Sequence, residues 1–148
     1  MKRQEKKGKT KLTAYELLSR YASGERNFKG IKLIGENLSS AFLQNIDLSD
    51  ADLSNSILIN AVLDGANLSG ANLSNTILSG ARLNTADLKG ANLSNAKLIY
   101  AELTHSDLTN ANLSNANLES ADLHAARLIN AKLSGAKITL ADINVVIK

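Results

Sequence analysis

Leucine recurs at every fifth position along most of this chain. Positions 33 to 133, in steps of five, all hold Leu, and with Phe28 before them and Ile138 and Ile143 after them they form 24 consecutive repeats. Two residues before each lies a second column, in which 17 of the 24 residues are Ala. In a helix, five residues turn ~140° past a full circle, so the leucines would spiral around the axis. In a straight strand, successive leucines would lie on opposite faces. Each repeat must therefore contain a turn.

This period predicts a coil with four sides. If each pentapeptide is a short extended side plus a corner, four of them close a coil of 20 residues with every leucine inward and Ala lining a narrow bore. Residues that tolerate tight turns crowd the intervening positions, as in Asn92-Leu93-Ser94-Asn95. At a strand spacing of ~4.8 Å, about six coils would make a rod about 29 Å long. The large or charged exceptions in the alanine column are all early: Arg26, Ile31, Glu36 and Ile46.

The segment before the repeats has a different pattern. Thr13 and Glu16 form a capping-box pair, apolar residues from Leu17 to Ala22 follow at helical spacing, and Gly24 can end a helix. We expect a short α-helix that caps the first coil. The predicted organisation is a disordered basic tail over residues 1–12, a capping helix over 13–24, the repeats over 26–145 and a C-terminal end over 146–148.

The repeats resemble the pentapeptide-repeat family, whose pattern is A(D/N)LXX. Ala66-Asn67-Leu68-Ser69-Gly70 and Ala91-Asn92-Leu93-Ser94-Asn95 match it as they stand, and so does Ala121-Asp122-Leu123-His124. The segment from Tyr15 to Phe28 is similar to the lead-in of cyanobacterial members. The resemblance implies the family's fold, an all-β, right-handed quadrilateral β-helix.

Charge is concentrated at the N-terminus. Residues 1–11 hold six basic residues and one acidic residue, whereas the remaining residues hold 11 basic and 13 acidic ones. We therefore do not expect the folded part to bind nucleic acid, although the tail offers such a site as an alternative. No run of residues is apolar enough for a membrane span or a secretory signal, and the chain has no Cys. The expected location is the cytoplasm, without membrane attachment.

The sequence contains few residues of the types that usually catalyse reactions. With no Cys and two His, we predict no catalytic residues, no cofactor and no metal site, and hence no enzyme. The one alternative for a metal is a divalent-cation site, because folding at 20 residues per coil brings five side chains near one another. They are His105, His124, Glu102, Asp122 and Asp142. Solvated surface is the simpler explanation of the same residues.

The most function-like feature is a predicted outward cluster of apolar residues on one side and its corner. It consists of Phe42, Ile57, Ile59, Val62, Ile77, Ile99 and Tyr100. Such a patch on a polar rod indicates a partner-binding surface, although β-branched residues also suit exposed strands. A second apolar group, at the C-terminal edge, predicts either a homodimer contact or a plug over the rod's end. Its members are Ile143, Val145, Val146 and Ile147.

We therefore predict a non-catalytic scaffold that binds an unidentified protein partner, with a regulatory role. The resemblance implies one alternative, because some pentapeptide-repeat proteins mimic duplex DNA and bind DNA gyrase. A further alternative is nucleic-acid binding by the basic tail.

Overall fold

Parallel β-bridges between residues twenty positions apart define the fold. The computed structural model describes residues 10–139 and residue 141, and in it such bridges run from Asn27–Asp47 to Asn117–Lys137. Because the leucine spacing is five, each coil contains four repeats, as the sequence predicts. The chain is a four-sided β-solenoid. The helix of the described residues is α1, Ala14–Ala22.

Each repeat has five structurally distinct positions. In chain order they are the alanine position, the bridge position, the leucine position and the first and second turn positions. The alanine and leucine positions face the core, whereas the bridge and turn positions face outward. Outward residues are therefore stacked in columns, one residue per coil.

In the repeat Ala91–Asn95, every backbone N–H group has a hydrogen-bond acceptor. The N–H of Ala91 closes the turn at 3.0 Å, that of Asn92 binds one neighbouring coil at 2.9 Å, and that of Leu93 binds the other at 2.7 Å. The N–H of Asn95 also reaches the next coil, at 3.0 Å. The fifth N–H, on Ser94, binds the side-chain oxygen of Asn92 at 3.1 Å. The Asp or Asn of the family pattern therefore completes the hydrogen bonding of its own turn.

The corners require a left-handed backbone. The second turn position of every repeat from Gly30 to Gly135 has a φ between 54° and 71°. With a hydrogen bond from the next alanine position to the preceding leucine carbonyl, this φ is that of a type II turn. Gly and Asn tolerate this conformation best, which explains why they dominate this column.

The core consists of the two inward columns. The leucines from Leu33 to Leu123 are fully buried, and the small polar exceptions among the alanines are satisfied, since Ser56, Thr76 and Ser106 each donate to the leucine carbonyl three residues earlier. Leu133 and Ile138 occupy leucine positions near the C-terminal end of the described coils and are exposed. No coil stacks on these two among the described residues.

Helix α1 packs against the first coil. Thr13 and Glu16 form the predicted capping box, and Leu17 is fully buried. The N–H of Ala14 donates to the carboxylate of Glu36 at 2.8 Å. Arg26 donates to the carbonyl of Tyr21 at 2.8 Å. Two of the early exceptions in the alanine column therefore contact the helix instead of filling the bore.

The predicted boundary of the basic tail at residue 12 is wrong. Lys11 forms a bridge with Lys32, and Leu12 is buried, because residues 10–12 pair along the edge of the first coil. Residues 1–9 lie outside the described residues, as does the predicted C-terminal end over 146–148. Within the part of the chain that the structure describes, no helix is long and apolar enough to cross a membrane.

Candidate binding surface

The side that carries the leucines Leu38, Leu58, Leu78, Leu98 and Leu118, here the Leu58 side, holds most of the predicted apolar cluster. Ile57 and Ile77 face outward at successive bridge positions and pair directly with each other. Both are half-buried, because the neighbouring coils flank them. Ile59 and Ile99 occupy first turn positions two coils apart, with Ser79 between them. Ile59 is 38 % exposed.

Phe42 and Val62 stack around the next corner, on the side that carries Leu43, Leu63, Leu83, Leu103 and Leu123, here the Leu63 side. Their bridge positions pair directly. Phe42 is 68 % exposed, but Val62 is only 9 % exposed. Val62 therefore offers almost no accessible surface to a partner and packs beside Phe42.

Tyr100 stands at the corner between these two sides. It is 70 % exposed and has a φ of 58°, a conformation that is unfavourable for a bulky side chain. Its column begins with Ser40 three coils earlier, so Tyr100 lies about 14 Å along the rod from the level of Phe42. The cluster is thus a strip along one corner, with Phe42 near one end and Tyr100 near the other. We call the seven predicted residues the apolar strip.

Two exposed hydrophobic residues were missed by the sequence analysis. Tyr15 extends from α1, and Ile34 occupies a first turn position in the first coil. The signal for Ile34 was available, because the equivalent positions of the next coils are all Ser, namely Ser54, Ser74 and Ser94. The exposure of Tyr15 was predictable from helical spacing, because residues two apart lie on opposite faces of a helix and Leu17 lies on the buried face.

Polar residues beside the apolar strip form an inter-coil ladder. Four bridge positions of the Leu63 side lack the Asp or Asn that completes the turn, namely Phe42, Val62, Arg82 and Glu102. In the last two repeats a side chain of the preceding coil accepts instead, since Asp64 accepts from the N–H of Asn84 at 3.1 Å and Asn84 accepts from the N–H of Thr104 at 3.0 Å. Arg82 bonds Asp64 at 2.6 Å.

The alternative metal site brings two imidazoles near two carboxylates. The rings of His105 and His124 meet edge to face with centroids 6.2 Å apart. The carboxylate of Glu102 accepts from Asn84, and that of Asp122 accepts from Thr104 and from the N–H of His124. Over the described residues, no group of three or more such side chains could hold a metal ion. Asp142 lies outside them.

The side opposite the Leu58 side, which carries Leu48, Leu68, Leu88 and Leu108, is polar. Lys89 lies between Asp87 at 3.0 Å and Asp107 at 3.4 Å. Its hydrogen bond to Asp87 raises the pKa of the Lys89 ammonium group, with Asp107 contributing in the same direction. The ion pairs of this side are exposed and individually weak.

The predicted C-terminal contact lies outside the described residues, since Ile143, Val145, Val146 and Ile147 all belong to the undescribed end of the chain. The homodimer and the plug both remain predictions.

Comparison with known proteins identifies the class. The family model described as pentapeptide repeats matches residues 46–84, 77–115, 86–124 and 106–144. The crystal structure of the pentapeptide repeat protein Rfr23, from the cyanobacterium Cyanothece 51142, is 31 % identical, with 82 % of this chain and 88 % of that chain covered and a TM-score of 0.62. This chain therefore belongs to the pentapeptide-repeat family, which confirms both the resemblance and the solenoid fold.

Two further solved structures are similar to the chain. HetL, a pentapeptide repeat protein involved in heterocyst differentiation regulation in Nostoc sp. strain PCC 7120, is 28 % identical over 92 % of this chain and 97 % of that chain, with a TM-score of 0.38. QnrB1, a plasmid-mediated fluoroquinolone resistance protein, is 23 % identical over 78 % and 68 %, with a TM-score of 0.47. Among curated protein sequences, none matches the chain.

Proposed function

We propose that this chain is a non-catalytic scaffold that presents one corner of a rigid rod to a protein partner. The observation that carries the proposal is the apolar strip, in which Phe42, Ile59 and Tyr100 are exposed while most neighbouring outward positions are polar. Exposed apolar patches of this kind are typical of interaction sites, and aromatic residues often anchor interfaces. Regulation of the partner is the role that best suits a rod without chemistry of its own.

The same proposal includes that the chain does not catalyse a reaction. Many polar side chains along the rod already serve the backbone, as Asn92 does for Ser94 and Asp122 does for His124. A general acid or base must instead reach a substrate proton from a defined pocket. The proposed rod has about six coils, is capped at one end by α1, and works in the cytoplasm.

Affinity capture from the native host's lysate tests this function. The test variant carries Ile57→Asn, Ile59→Ser and Ile77→Asn, which introduce residues found elsewhere in the same columns, such as Asn37 and Ser79. The matched control carries Asn67→Asp, Ser69→Thr and Asp87→Asn, at the same repeat positions half a coil away. Neither set removes a core residue, so both variants should fold.

A protein retained by the wild type and the control but lost from the test variant supports the scaffold. Equal retention by all three chains contradicts binding through the apolar strip. Circular dichroism of each variant confirms that a loss of capture is not a loss of fold.

One observation favours the DNA-mimic alternative. Residues 33–81 hold five acidic and no basic side chains. Residues 10–139 as a whole, however, hold eleven basic and twelve acidic ones, so the rod is nearly neutral. Duplex DNA carries a charge every ~1.7 Å, which a near-neutral rod does not reproduce. Inhibition of gyrase supercoiling at micromolar concentrations would favour this alternative over the scaffold.

A further inference from the structure

Three backbone N–H groups on the Leu58 side have no acceptor among the described residues. They belong to Ile59, Ser79 and Ile99, at the first turn positions of three successive coils. The bridge positions two residues before them hold Ile, Ile and Lys, whose side chains cannot accept a hydrogen bond. The carbonyls of the same three residues are used, because each accepts from the coil before at 2.8 to 3.0 Å. The surface therefore offers backbone donors only.

This run of unpaired donors coincides with the apolar strip. In the same column, the N–H of Ser39 and that of Glu119 each bind the Asn of their own repeat at 3.0 Å. Among the described residues, other first turn N–H groups without an acceptor occur singly, apart from Gln44 and Asp64, which lie around the corner beside Phe42. Departures from a local rule of this kind are typical of functional sites.

The preceding side of the rod shows what the run has lost. There, four successive first turn N–H groups all bind the Asp or Asn of their own repeat, those of Ser54, Ser74, Ser94 and Ser114. The donors of the Leu58 side have the same place in the fold and differ only in the bridge residue before them. They are therefore available to an acceptor that another molecule supplies.

A cation without a partner lies at one end of the run. Lys97 follows Ile77 in the bridge column and is exposed. It forms no ion pair within the part of the chain that the structure describes, whereas Arg82 around the corner bonds Asp64 at 2.6 Å. Three N–H donors and an ammonium group favour a partner with carboxylate oxygens, and the apolar strip favours one that also carries apolar side chains.

The spacing of the donors favours a helical partner. Stacked coils place the second and third donors ~4.8 and ~9.6 Å from the first along the rod. On one face of an α-helix, side chains at i+3 and i+7 lie ~4.5 and ~10.5 Å from residue i along the axis. In an extended segment, groups on one face recur every ~6.8 Å, which misses the second donor by ~2 Å. A helix parallel to the rod therefore matches the three donors better.

We propose that the apolar strip binds an acidic amphipathic α-helix of its partner, whose Asp or Glu side chains accept from the three N–H groups. Apolar side chains of this helix pack against Ile57 and Ile77, and a carboxylate near one end pairs with Lys97. The inference rests on the proposed function, because it names the element that the scaffold binds.

Two variants of Lys97 separate the N–H group from the charge. Lys97→Asn and Lys97→Gln both remove the cation, but Asn has the length that binds the first turn N–H, as Asn117 does for Glu119 at 3.0 Å. In the free chain, Lys97→Asn should therefore slow amide hydrogen exchange at Ile99, and Lys97→Gln should not. If the amide of Ile99 is already protected in the wild type, it has an acceptor and the proposal is wrong.

Photo-crosslinking in a lysate of the native host tests the helix. A photoreactive residue replaces Ile59 in one chain and Ile99 in another, and mass spectrometry maps the labelled residues of the partner. Because two coils span ~9.6 Å, a helix parallel to the rod should be labelled at sites about six or seven residues apart. An extended segment would be labelled about three residues apart.

The chain with the probe at position 59 also compares the variants. Lys97→Asn should raise the chain concentration that gives half the maximal adduct by about tenfold or more, because it withdraws a donor from a carboxylate. Lys97→Gln, which loses only an exposed ion pair, should raise it by less than about fivefold. The matched control is Lys137→Asn, two coils further along the same column, and it should leave this concentration unchanged.

The outcomes distinguish this inference from the proposed function. No adduct from either position contradicts partner binding itself, and the helix fails with it. Labelled sites about three residues apart, or in unrelated segments, are compatible with a scaffold but overturn the helix. Equal effects of Lys97→Asn with either Lys97→Gln or Lys137→Asn also overturn it, because the N–H groups would then not contact the partner.

Discussion

The side-chain oxygen of Asn117 accepts a hydrogen bond from the backbone N–H of Glu119 at 3.0 Å. The same contact recurs wherever Asp or Asn occupies a bridge position and the first turn N–H has no other acceptor, for example between Asp87 and Lys89 at 3.0 Å. It satisfies the one N–H group of the repeat that has no backbone acceptor. The frequent Asp or Asn before the leucine therefore completes the hydrogen bonding of the backbone.

Removing this acceptor should destabilise the rod. We expect Asn117→Ala to lower the free energy of unfolding by about 1 kcal/mol, the usual net value of one hydrogen bond, whereas Asn117→Asp keeps the acceptor and should be nearly neutral. Urea unfolding measures both. Lys97→Ala, at the same repeat position one coil earlier, is the control and should change little. Equal losses for Asn117→Ala and Lys97→Ala would refute this role of Asn117.

Tyr100 should reduce stability while it serves binding. Its left-handed backbone costs a residue with a Cβ about 1–2 kcal/mol, and Asn, which occupies eight of these corners, tolerates the conformation better. We expect Tyr100→Asn to raise the free energy of unfolding by about 1 kcal/mol and to weaken partner capture. Tyr100→Ala keeps the strain and should bring no gain. The prediction is wrong if thermal unfolding finds the Ala and Asn variants equally stable.

The narrow bore should not accept larger side chains at the alanine positions. Ala91 is fully buried, so Ala91→Leu should destabilise the protein by about 1–3 kcal/mol through overpacking. Ser94→Leu, in the same repeat but facing outward, should change stability by less than about 0.5 kcal/mol. Urea unfolding compares the two. A tolerated Ala91→Leu would mean that the bore has unfilled space.

The capping box of α1 should depend on pH. Hydrogen bonds from the backbone N–H and the hydroxyl of Thr13 hold the pKa of Glu16 below its ordinary value. A carboxyl with a lowered folded pKa contributes stability above its unfolded pKa of about 4.3 and loses it as the pH falls through the folded value. The protection factors of amide hydrogen exchange in α1 should therefore fall below about pH 4.

Glu16→Gln separates the charge from the hydrogen bond. Gln can still complete a capping box, so α1 should form, but its exchange should lose the acid-dependent step. An unchanged acid profile in Glu16→Gln would assign the effect to another group.

The fold was predictable because its main signal is a strict period. The columns of Leu33 to Leu123 determine the inward direction, and the spacing of five forces a corner into every repeat. The capping box at Thr13 was also visible, because it depends only on residues close in sequence. Local patterns of this kind predict the coil and the capping box without any knowledge of distant contacts.

The features that sequence analysis missed depend on which residues meet across coils. The bridge between Lys11 and Lys32 joins residues twenty-one apart, one more than a coil of twenty, so the period could not reveal it. Likewise, the columns place Val62 beside Phe42, but only the packed structure shows that Val62 is covered. Glu36 interrupts the alanine column because its carboxylate accepts a hydrogen bond from the N–H of Ala14 in α1, outside the repeats.

Site-specific photo-crosslinking in the native host tests the scaffold most directly. A photoreactive residue replaces Ile59 in one chain and Ser69 in another, so that both probes occupy first turn positions on opposite sides of the same rod. The account predicts a discrete protein adduct from position 59 that is absent from position 69. Adducts of equal yield from both positions, or none from position 59, would contradict partner binding through the apolar strip.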